Sequence, residues 1–422
     1  MKRKLLYILF LIPVFTSCLE SPEMTTGIVN GKEKPTVITG QADPHCLDGC
    51  LYFQGEITSI GKAEITNKGF YWDTVLINQN NKGIRILSDA NSDIFSCELK
   101  NASGDRTYYW RAFAENKHGE ELGEIHSIQT PPIWEAKKEL SGRGRGNGAV
   151  CVLDNKIYMF CGELERYSGG RDLTNVTHVY NGIDRWDELD EFPGDLRLYP
   201  VAFTIGNYIF VGTGSVFGTA VKDFYQLDNT LGSWTEDKIE TPVDLEAREQ
   251  SVAFSLNGKG YLVGGLSVRS IILDDVWQYD PVNGWVKKGN FPVRLSGGIS
   301  ISDDKRVFVG FGSSRTLWQY YEETDKWEVF TILPDRVGKT IKSGVIVRNA
   351  IYIVDENNTI WTLDMNNETK IWEEKAKLPE VFPDSKISGE NQKLLTTGNS
   401  NSIYVGLGFT KLLYEYHPLW DN

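Results

Sequence analysis

The chain has 422 residues, a formal net charge of −13, 41% hydrophobic residues and 12% aromatic residues. This composition is sufficient for packed cores and excludes a disordered chain, and the length suits one small and one large domain. The negative charge excludes nucleic acid as an expected partner and disfavours anionic lipid headgroups.

The first 17 residues have the pattern of an export signal. Residues 2–4 are basic, and the apolar run over residues 5–15 is too short to span a bilayer. The small residues before Cys18 resemble the lipobox of bacterial lipoproteins, with Phe15 in place of the usual aliphatic residue. The resemblance implies a lipid anchor on Cys18 at the outer membrane or cell surface, and a plain secretory signal is the alternative. Residues 18–34 are predicted to be a tether.

Residues 35–130 are predicted to form a small β-sandwich, because short strand-like segments alternate with turns. The segment Tyr108–Asn116, followed by Gly119, resembles the F strand and F–G turn of fibronectin type III-like domains. Leu99 and Tyr108 match the leucine and tyrosine-corner pair of such immunoglobulin-like sandwiches. The dipeptide Pro131-Pro132 marks the boundary to the next domain.

Cysteine usage leaves several pairings open in an oxidising compartment. Five cysteines follow the proposed lipidation site: Cys46, Cys50, Cys97, Cys151 and Cys161. Cys46 can pair with Cys50, or Cys97 can pair with either of them. If Asp154 and Asn155 form a two-residue hairpin turn, Cys151 and Cys161 point to opposite faces of a sheet, and both are predicted to be small buried hydrophobic residues.

Residues 131–422 contain six copies of one pattern, in which an apolar strand ends near glycine and a second strand follows. Tryptophans close the units: Trp134, Trp186, Trp234, Trp285, Trp327, Trp372 and Trp420. Their spacing of about 50 residues, with four short strands per unit, resembles kelch repeats. The resemblance implies an all-β fold, a six-bladed β-propeller. Trp134 precedes the first complete unit, so its strand is predicted to complete the last blade and close the ring.

Basic residues precede the innermost strand of each predicted blade. They are Arg143 and Arg145, Arg197, Arg248, Arg294, Arg336 with Lys339 and Lys342, and Lys386. If they converge at one mouth of the channel, they create a positive potential that binds the carboxylate of an acidic sugar or peptide. The structural alternative is that these arginines pair with neighbouring blades.

The loops between the second and third strands are long in the first three blades and short in the others. A ligand pocket is therefore predicted off-centre, beside blades one to three. Its candidate contacts are Arg166, Tyr167, Phe217 and Arg269, with Glu163, Glu165 and Glu249 beside the arginines as candidate acids or bases.

Motifs for enzyme chemistry are weak. The five histidines lack metal-ligand spacing, and the sequence does not supply the pair of histidines with tyrosines that the copper site of galactose oxidase, another kelch propeller, requires. It has no G-x-S-x-G element and no phosphate-binding loop that opens a helix. No cofactor, metal site or catalytic residue is predicted.

The first functional hypothesis is therefore a binding module for glycans, including acidic sugars, or for protein. The second is an enzyme, because the segments Phe192–Arg197 and Phe291–Arg294 resemble blade junctions of bacterial sialic acid mutarotases (N-acetylneuraminate epimerases). That resemblance implies a sugar epimerase acting at the channel mouth, although it does not assign the catalytic pair of those enzymes to particular residues of this chain. A scaffold without a small-molecule ligand is the third.

Overall fold

The computed structural model describes residues 33–43, 49–165, 172–235, 237–303, 305–312, 314–379, 395–398 and 402–421. These residues form β-strands and one 3-10 turn, Pro418–Trp420, and none of their helical segments is long and apolar enough to cross a bilayer. The chain divides into two units between Pro131 and Pro132.

The first unit is a β-sandwich of two antiparallel sheets. Its strands are β1 (Thr36–Asp43), β2 (Leu51–Ser59), β3 (Ile65–Asp73), β4 (Ile84–Leu87), β5 (Ile94–Leu99), β6 (Thr107–Asn116), β7 (Gly119–Leu122) and β8 (His126–Gln129). One sheet has the order β1-β2-β5, and the other has the order β4-β3-β6-β7, with β8 also paired to β6. Side chains along β2 alternate between buried and exposed, as expected for a strand with one face on a core.

Aromatic side chains join the two sheets of the sandwich. The ring of Phe53 on β2 stacks 5.2 Å from Trp110 on β6 and lies 5.8 Å from Phe70 on β3. The backbone N–H of Ser103 donates to the Tyr108 hydroxyl over 2.8 Å, which ties the preceding loop to β6. A β-sandwich is therefore observed, and its closer assignment to the fibronectin type III-like domains stays a prediction.

The described cysteines are not linked to one another. Cys97 is a buried free thiol whose Sγ lies 3.4 Å from the Leu87 carbonyl, so of the pairings left open, the one between Cys50 and Cys97 is not observed. Cys46 lies outside the described residues. Cys151 is paired across the hairpin with Tyr158, and Cys161 is fully buried; both are free thiols. Burial raises the pKa of Cys161 to about 12, as expected for an inert, apolar residue.

The second unit is built from short antiparallel strands. They are β9 (Trp134–Ala136), β10 (Arg145–Gly146), β11 (Ala149–Leu153), β12 (Lys156–Phe160), β13 (Glu163–Leu164), β14 (Thr177–Tyr180), β15 (Trp186–Leu189), β16 (Val201–Ile205), β17 (Tyr208–Gly212), β18 (Ser215–Val216), β19 (Thr219–Ala220), β20 (Phe224–Asp228), β21 (Ser233–Trp234), β22 (Arg248–Glu249), β23 (Val252–Leu256), β24 (Lys259–Ser267), β25 (Ile272–Asp280), β26 (Gly284–Lys287), β27 (Ile299–Ser302), β28 (Val307–Gly310), β29 (Thr316–Tyr321), β30 (Lys326–Ile332), β31 (Ile341–Val347), β32 (Ala350–Asp355), β33 (Thr359–Asp364), β34 (Trp372–Lys377), β35 (Leu395–Gly398), β36 (Ile403–Gly406) and β37 (Leu413–Tyr416).

These strands form six four-stranded blades. From the innermost strand outward, the blades are β11-β12-β14-β15, β16-β17-β20-β21, β23-β24-β25-β26, β27-β28-β29-β30, β31-β32-β33-β34 and β35-β36-β37-β9. Each innermost strand contacts the innermost strands of the two neighbouring blades, and β35 contacts β11, so the ring is closed. The predicted six-bladed propeller is confirmed. The last blade takes its outer strand from the start of the unit, where Trp134 pairs with Tyr416.

The hydrophobic core lies between adjacent blades. Val201, Phe203 and Ile205 alternate along β16 and pack against blade three, where Phe203 meets Tyr279. A Cβ atom on Gly260 would lie 2.0 Å from the Phe203 ring, so glycine is required at this point of close approach. The alternation of each inner strand thus fixes which side chains enter the interface between two blades.

In four blades a residue with left-handed backbone conformation directly follows the second strand, and in blade three the equivalent residue lies within β24. These residues are Cys161, Thr213, Gly264, Phe311 and Leu407, with φ between 53° and 65°. Glycine adopts this conformation without strain, whereas other L-residues do so at a cost of roughly 1–2 kcal/mol. The glycine typical of the repeat is therefore replaced in four blades although the backbone geometry is retained.

Candidate ligand site at the channel mouth

The inner strands enclose a central channel with a cavity volume of about 1020 Å³. Small and hydroxyl-bearing residues line it, and they connect the inner edges of the blades. The backbone N–H of Thr204 donates to Ser255 Oγ over 2.9 Å, and Ser300 Oγ donates to the Ala253 carbonyl over 2.8 Å. The channel wall is therefore polar and held together from blade to blade.

One face of the ring, here called the mouth, carries the segments that lead into the innermost strands. Four residues in equivalent positions line a small cavity of about 30 Å³ there: Asn147, Tyr199, Gln250 and Gly297, with φ between 53° and 70°. The Tyr199 N–H donates to the Asn147 carbonyl over 2.8 Å, and the Gly297 N–H donates to the Gln250 carbonyl over 2.9 Å. Left-handed residues other than glycine are uncommon and cluster at functional sites. Two amides and a phenol thus form an uncharged polar rim that suits sugar hydroxyls.

Arg197, which leads into blade two, is fully buried inside that blade. Its guanidinium donates to both oxygens of Asp223, over 2.8 and 2.9 Å, and to the Thr213 carbonyl over 3.1 Å. The guanidinium also lies 4.7 Å from the centre of the Phe192 ring. A bidentate carboxylate neutralises the buried charge.

Arg248 makes the same contacts in blade three. It is fully buried, donates to both oxygens of Asp275 over 2.6 and 2.8 Å, and donates to the Gly264 carbonyl over 3.1 Å. Burial alone would raise the pKa of Asp275, but the hydrogen bonds and the charge of Arg248 outweigh it and lower that pKa.

Arg145 of blade one is 1% exposed and has neutral partners. It donates to the carbonyls of Cys161 and Val176, over 3.2 and 2.6 Å, and its second terminal nitrogen lies against Nδ1 of His178. Nε2 of His178 is 3.5 Å from the Glu188 carboxylate. Burial and the charge of Arg145 lower the pKa of His178 to about 4, so the imidazole is neutral at pH 7 and accepts from Arg145.

The proposed ring of cations at the mouth is therefore wrong for these three arginines. A desolvated guanidinium requires close acceptors, and the blades themselves provide them. The backbone carbonyls of the same arginines accept from the preceding blade: Gly162 donates to Arg197, Gly214 donates to Arg248 and Phe409 donates to Arg145. The structural alternative, in which the arginines pair with neighbouring blades, holds for their backbone carbonyls alone, because each guanidinium pairs within its own blade.

Other predicted cations lie at separate places. Arg336 stacks 5.5 Å over the Trp361 ring and donates to the Trp372 carbonyl, so it covers the outer strands of blade five. Arg294 is exposed, and Leu295, not Arg294, holds the position equivalent to Arg248, because its carbonyl accepts from Gly265 of the preceding blade. The predicted contacts Arg166, Tyr167 and Lys386 lie outside the described residues.

The predicted acidic residues differ in how far their side chains are buried. Glu163 is buried on β13, opposite Gly146, whereas Glu249 is half-exposed on β22, next to Gln250 of the mouth. Glu165 is half-buried, and its backbone N–H donates to the Gly144 carbonyl over 2.7 Å. Glu249 is thus the predicted acid that lies directly beside the mouth residues.

Lys342, one of the basic residues predicted ahead of the innermost strands, is a cation of the channel. It lines the channel at the start of β31 and is 9% exposed, and its Nζ donates to Asn358 Oδ1 over 2.6 Å. The pairing of β31 with β32 shifts register between Ile341 and Ser343, so Lys342 occupies a bulge. A bulge redirects a side chain in a way that strand alternation does not reveal. Burial lowers the pKa of Lys342.

The long loops of blades one to three build short extra strands on the mouth face. β10 pairs with β13, β18 with β19, and β22 with β24. Isolated bridges join Leu198 to Ser215 and Val221 to Arg248, so the extra strands of neighbouring blades are connected. Phe217, at the tip of β18–β19, is 88% exposed, and the side chain of Arg269 pairs with Glu246 over 2.9 Å.

A group of possible metal ligands, Glu135, Glu415 and His417, occurs among the described residues on blade six. Lys137 Nζ lies 3.0 Å from Glu135 and 2.7 Å from Glu415. The ammonium group therefore neutralises these carboxylates, and the cluster is an ion-pair network.

Sequence comparison finds curated relatives that are all named N-acetylneuraminate epimerase. The protein of Yersinia enterocolitica (serotype O:8 / biotype 1B) is 38% identical over 20% of this chain and 24% of its own length. The protein of Pasteurella multocida (strain Pm70) is 33% identical over 27% of this chain and 30% of its own length. The protein of Salmonella typhimurium (strain LT2) is 25% identical over 56% of this chain and 59% of its own length. The chain thus spans between about a quarter and three fifths of the length of these relatives. No family model matches the chain.

The solved structure of YjhT resembles the fold, with a TM-score of 0.50 at 13% identity. The match covers 66% of this chain and 95% of YjhT, so it corresponds in extent to the propeller. At this identity it supports the fold alone. The chain is therefore a kelch-type β-propeller protein with distant sequence similarity to the N-acetylneuraminate epimerases.

Proposed function

We propose that the propeller binds an acidic sugar at the mouth of its channel. The observation that carries this proposal is the combination of a polar, uncharged rim with a buried lysine in one channel. Asn147, Tyr199 and Gln250 provide amide and phenol groups for sugar hydroxyls. Lys342 provides a cation for a carboxylate.

The position of Lys342 suits this role. Its partner Asn358 lies in the connection between the second and third strands of blade five, which emerges on the mouth face. In a chain with a net charge of −13, a cation in the channel attracts an anionic ligand that the rest of the surface repels. A bound carboxylate favours the charged ammonium and offsets the effect of burial on the Lys342 pKa.

Exchange of sugar anomers is a second candidate function, and the similarity to N-acetylneuraminate epimerases favours it. Opening a pyranose requires a base that takes the proton of the anomeric hydroxyl and an acid that protonates the ring oxygen as its bond to the anomeric carbon breaks. Reversal of these transfers after rotation of the carbonyl gives the other anomer. We propose Glu249, which is half-exposed and adjacent to Gln250 in the chain, as the carboxylate that transfers one of these protons.

Titration of the purified protein with N-acetylneuraminic acid, followed by NMR, tests both candidates. Binding shifts the ligand resonances, and Lys342→Met weakens binding at least about tenfold, since it removes the charge and keeps the apolar stem. Lys339→Met, on an exposed neighbour, is the matched control and leaves binding unchanged. Equal affinity of the Lys342→Met variant, or equal binding of neutral N-acetylmannosamine, would contradict the proposal.

Anomer exchange is measured in the same samples. Exchange that is faster with protein than without it supports the enzyme, and Glu249→Gln then slows exchange while binding persists. Shift perturbation without faster exchange supports a binding module. A wild-type protein that binds neither probe is a scaffold, as in the third hypothesis.

We also propose that the protein is exported and held at a membrane surface through a lipid on Cys18. The support is the basic and apolar pattern of residues 2–15 and the small residues before the cysteine. Expression in a bacterial host with labelled palmitate tests this proposal. The label should enter the wild-type protein and be absent from Cys18→Ala, and an unlabelled wild-type protein would indicate the plain secretory signal.

A further inference from the structure

Phe217 is placed where the fold gains nothing from an aromatic residue. It lies between β18 and β19, in which Ser215 pairs with Ala220 and Val216 pairs with Thr219, so Phe217 and Gly218 form a two-residue turn. Phe217 is 88% exposed. An exposed aromatic ring of this kind does not contribute to the core, and its exposure to water is unfavourable relative to burial.

The backbone of Phe217 points to the same conclusion independently. Its φ is 47° and that of Gly218 is 82°, so both central residues of the turn are left-handed. Turns of this type strongly favour Asn-Gly, because asparagine adopts the left-handed conformation at a lower cost in free energy than phenylalanine does. Phenylalanine at position 217 is thus unfavourable both for the backbone conformation of the turn and for contact with water.

The hairpin is fixed to the rim of the mouth. The N–H of Leu198 donates to the Ser215 carbonyl over 3.0 Å, and the N–H of Ser215 donates to the Leu198 carbonyl over 2.8 Å. The next residue, Tyr199, lines the mouth cavity. At about 3.3 Å per residue, the tip stands at most about 7 Å beyond Ser215. The Phe217 ring is thus carried on a short hairpin whose base is hydrogen-bonded to the residue before Tyr199.

We propose that Phe217 stacks on the second sugar of a glycan whose terminal acidic sugar occupies the mouth. This inference rests on the proposed function and narrows the ligand class from a free monosaccharide to the acidic end of an oligosaccharide. The flat apolar face of a pyranose covers an aromatic ring, which removes both from water. The rigid attachment to the rim positions the ring before the ligand arrives.

Isothermal titration of the purified protein with two probes tests this inference: free N-acetylneuraminic acid and the trisaccharide 3′-sialyllactose. The wild-type protein should bind the trisaccharide up to about tenfold more tightly. Phe217→Asn should abolish that difference, leave the affinity for the monosaccharide unchanged and maintain or raise the melting temperature, since asparagine suits the turn. Phe217→Trp should retain the difference.

Val243→Asn is the matched control, because Val243 is a 98% exposed apolar residue of a different loop; it should retain both affinities. A wild-type protein with equal affinity for the two probes, or a Phe217→Asn variant that weakens both equally, overturns the role of Phe217. Failure of the wild-type protein to bind either probe rejects the proposed function itself, so the two failures are distinguishable.

Discussion

Blade one stabilises its buried arginine with different partners from those used in blades two and three. Each has a buried arginine whose guanidinium donates to the carbonyl of a left-handed residue: Cys161, Thr213 or Gly264. Blades two and three neutralise it with an aspartate, whereas blade one presents Val176 directly before its third strand and relies on His178. The backbone geometry of the repeat is therefore retained while the partners of its buried charge change. The contributions of the blades to stability should accordingly differ in their dependence on pH.

The largest effect is expected from Arg248→Ala. The variant leaves Asp275 in a mostly buried site without its bidentate partner, and loss of one member of such a pair costs about 3–5 kcal/mol. Urea unfolding followed by tryptophan fluorescence measures the change in the free energy of unfolding.

Blade four supplies the control for this variant. Leu295 stands there in the place of Arg248, and the register of β29 places Thr316 in the place of Asp275. The double variant Arg248→Leu with Asp275→Thr should therefore lose less stability than Arg248→Ala. A loss below about 1 kcal/mol for Arg248→Ala would show that the pair does not stabilise the blade.

A smaller effect is expected from pH in blade one. His178 has its pKa lowered from 6.5 to about 4, so the unfolded chain binds a proton that the folded protein does not. Stability from this site is fully present above pH 6.5 and is lost as the pH falls toward 4. At about 1.4 kcal/mol per pKa unit, the loss is at most roughly 3 kcal/mol.

His178→Asn isolates this contribution, since an amide oxygen can accept from Arg145 and does not titrate. Melting temperatures from pH 7.5 to 4 should fall less steeply in the variant than in the wild-type protein. The aspartate of blade three has a lowered pKa, so its contribution is lost only at still lower pH. Parallel curves for the variant and the wild-type protein would contradict the assignment.

The smallest effect concerns the left-handed residues at the ends of the second strands. Thr213 is β-branched at φ 56°, and its buried Oγ1 has no hydrogen-bond partner among the described residues. Thr213→Gly should therefore raise the free energy of unfolding by about 1 kcal/mol. The reciprocal control is Gly264→Ala, whose Cβ would lie 2.5 Å from the Leu295 carbonyl and should destabilise blade three. A destabilised Thr213→Gly variant would show that its methyl packing outweighs the strain.

The sequence predicts the fold because the information is local and repeated. The closing tryptophans and the apolar strands recur at a nearly constant spacing, and the position of Trp134 before the first unit predicts the shared last blade. The direction of the arginine side chains required information from distant residues. The signal that was available is an aspartate followed directly by apolar residues of the third strand, as in Asp223-Phe224 and Asp275-Val276.

The site was predicted less completely for two physical reasons. Lys342 was among the predicted cations, but the sequence did not distinguish it from the arginines that are buried inside the blades. It occupies a bulge, and a one-residue irregularity in strand pairing leaves no mark on the hydrophobic pattern. The mouth residues Asn147, Tyr199 and Gln250 share a backbone conformation and not a residue type, so a comparison of residue types between repeats does not align them. The longer loops of the first three blades were evident from the spacing, and they build the extra strands of the mouth face.

The pairing of Trp134 with Tyr416 has a consequence for biosynthesis. The first strand of the propeller, β9, has no partner until β37 has been synthesised, near the end of the domain. During that interval the blades already made expose unpaired strand edges, and contacts between such distant residues form slowly. A truncation that removes β37 would leave this first strand without a partner and the nascent ring prone to aggregation. Closure of the ring thus depends on β37, the partner of that first strand.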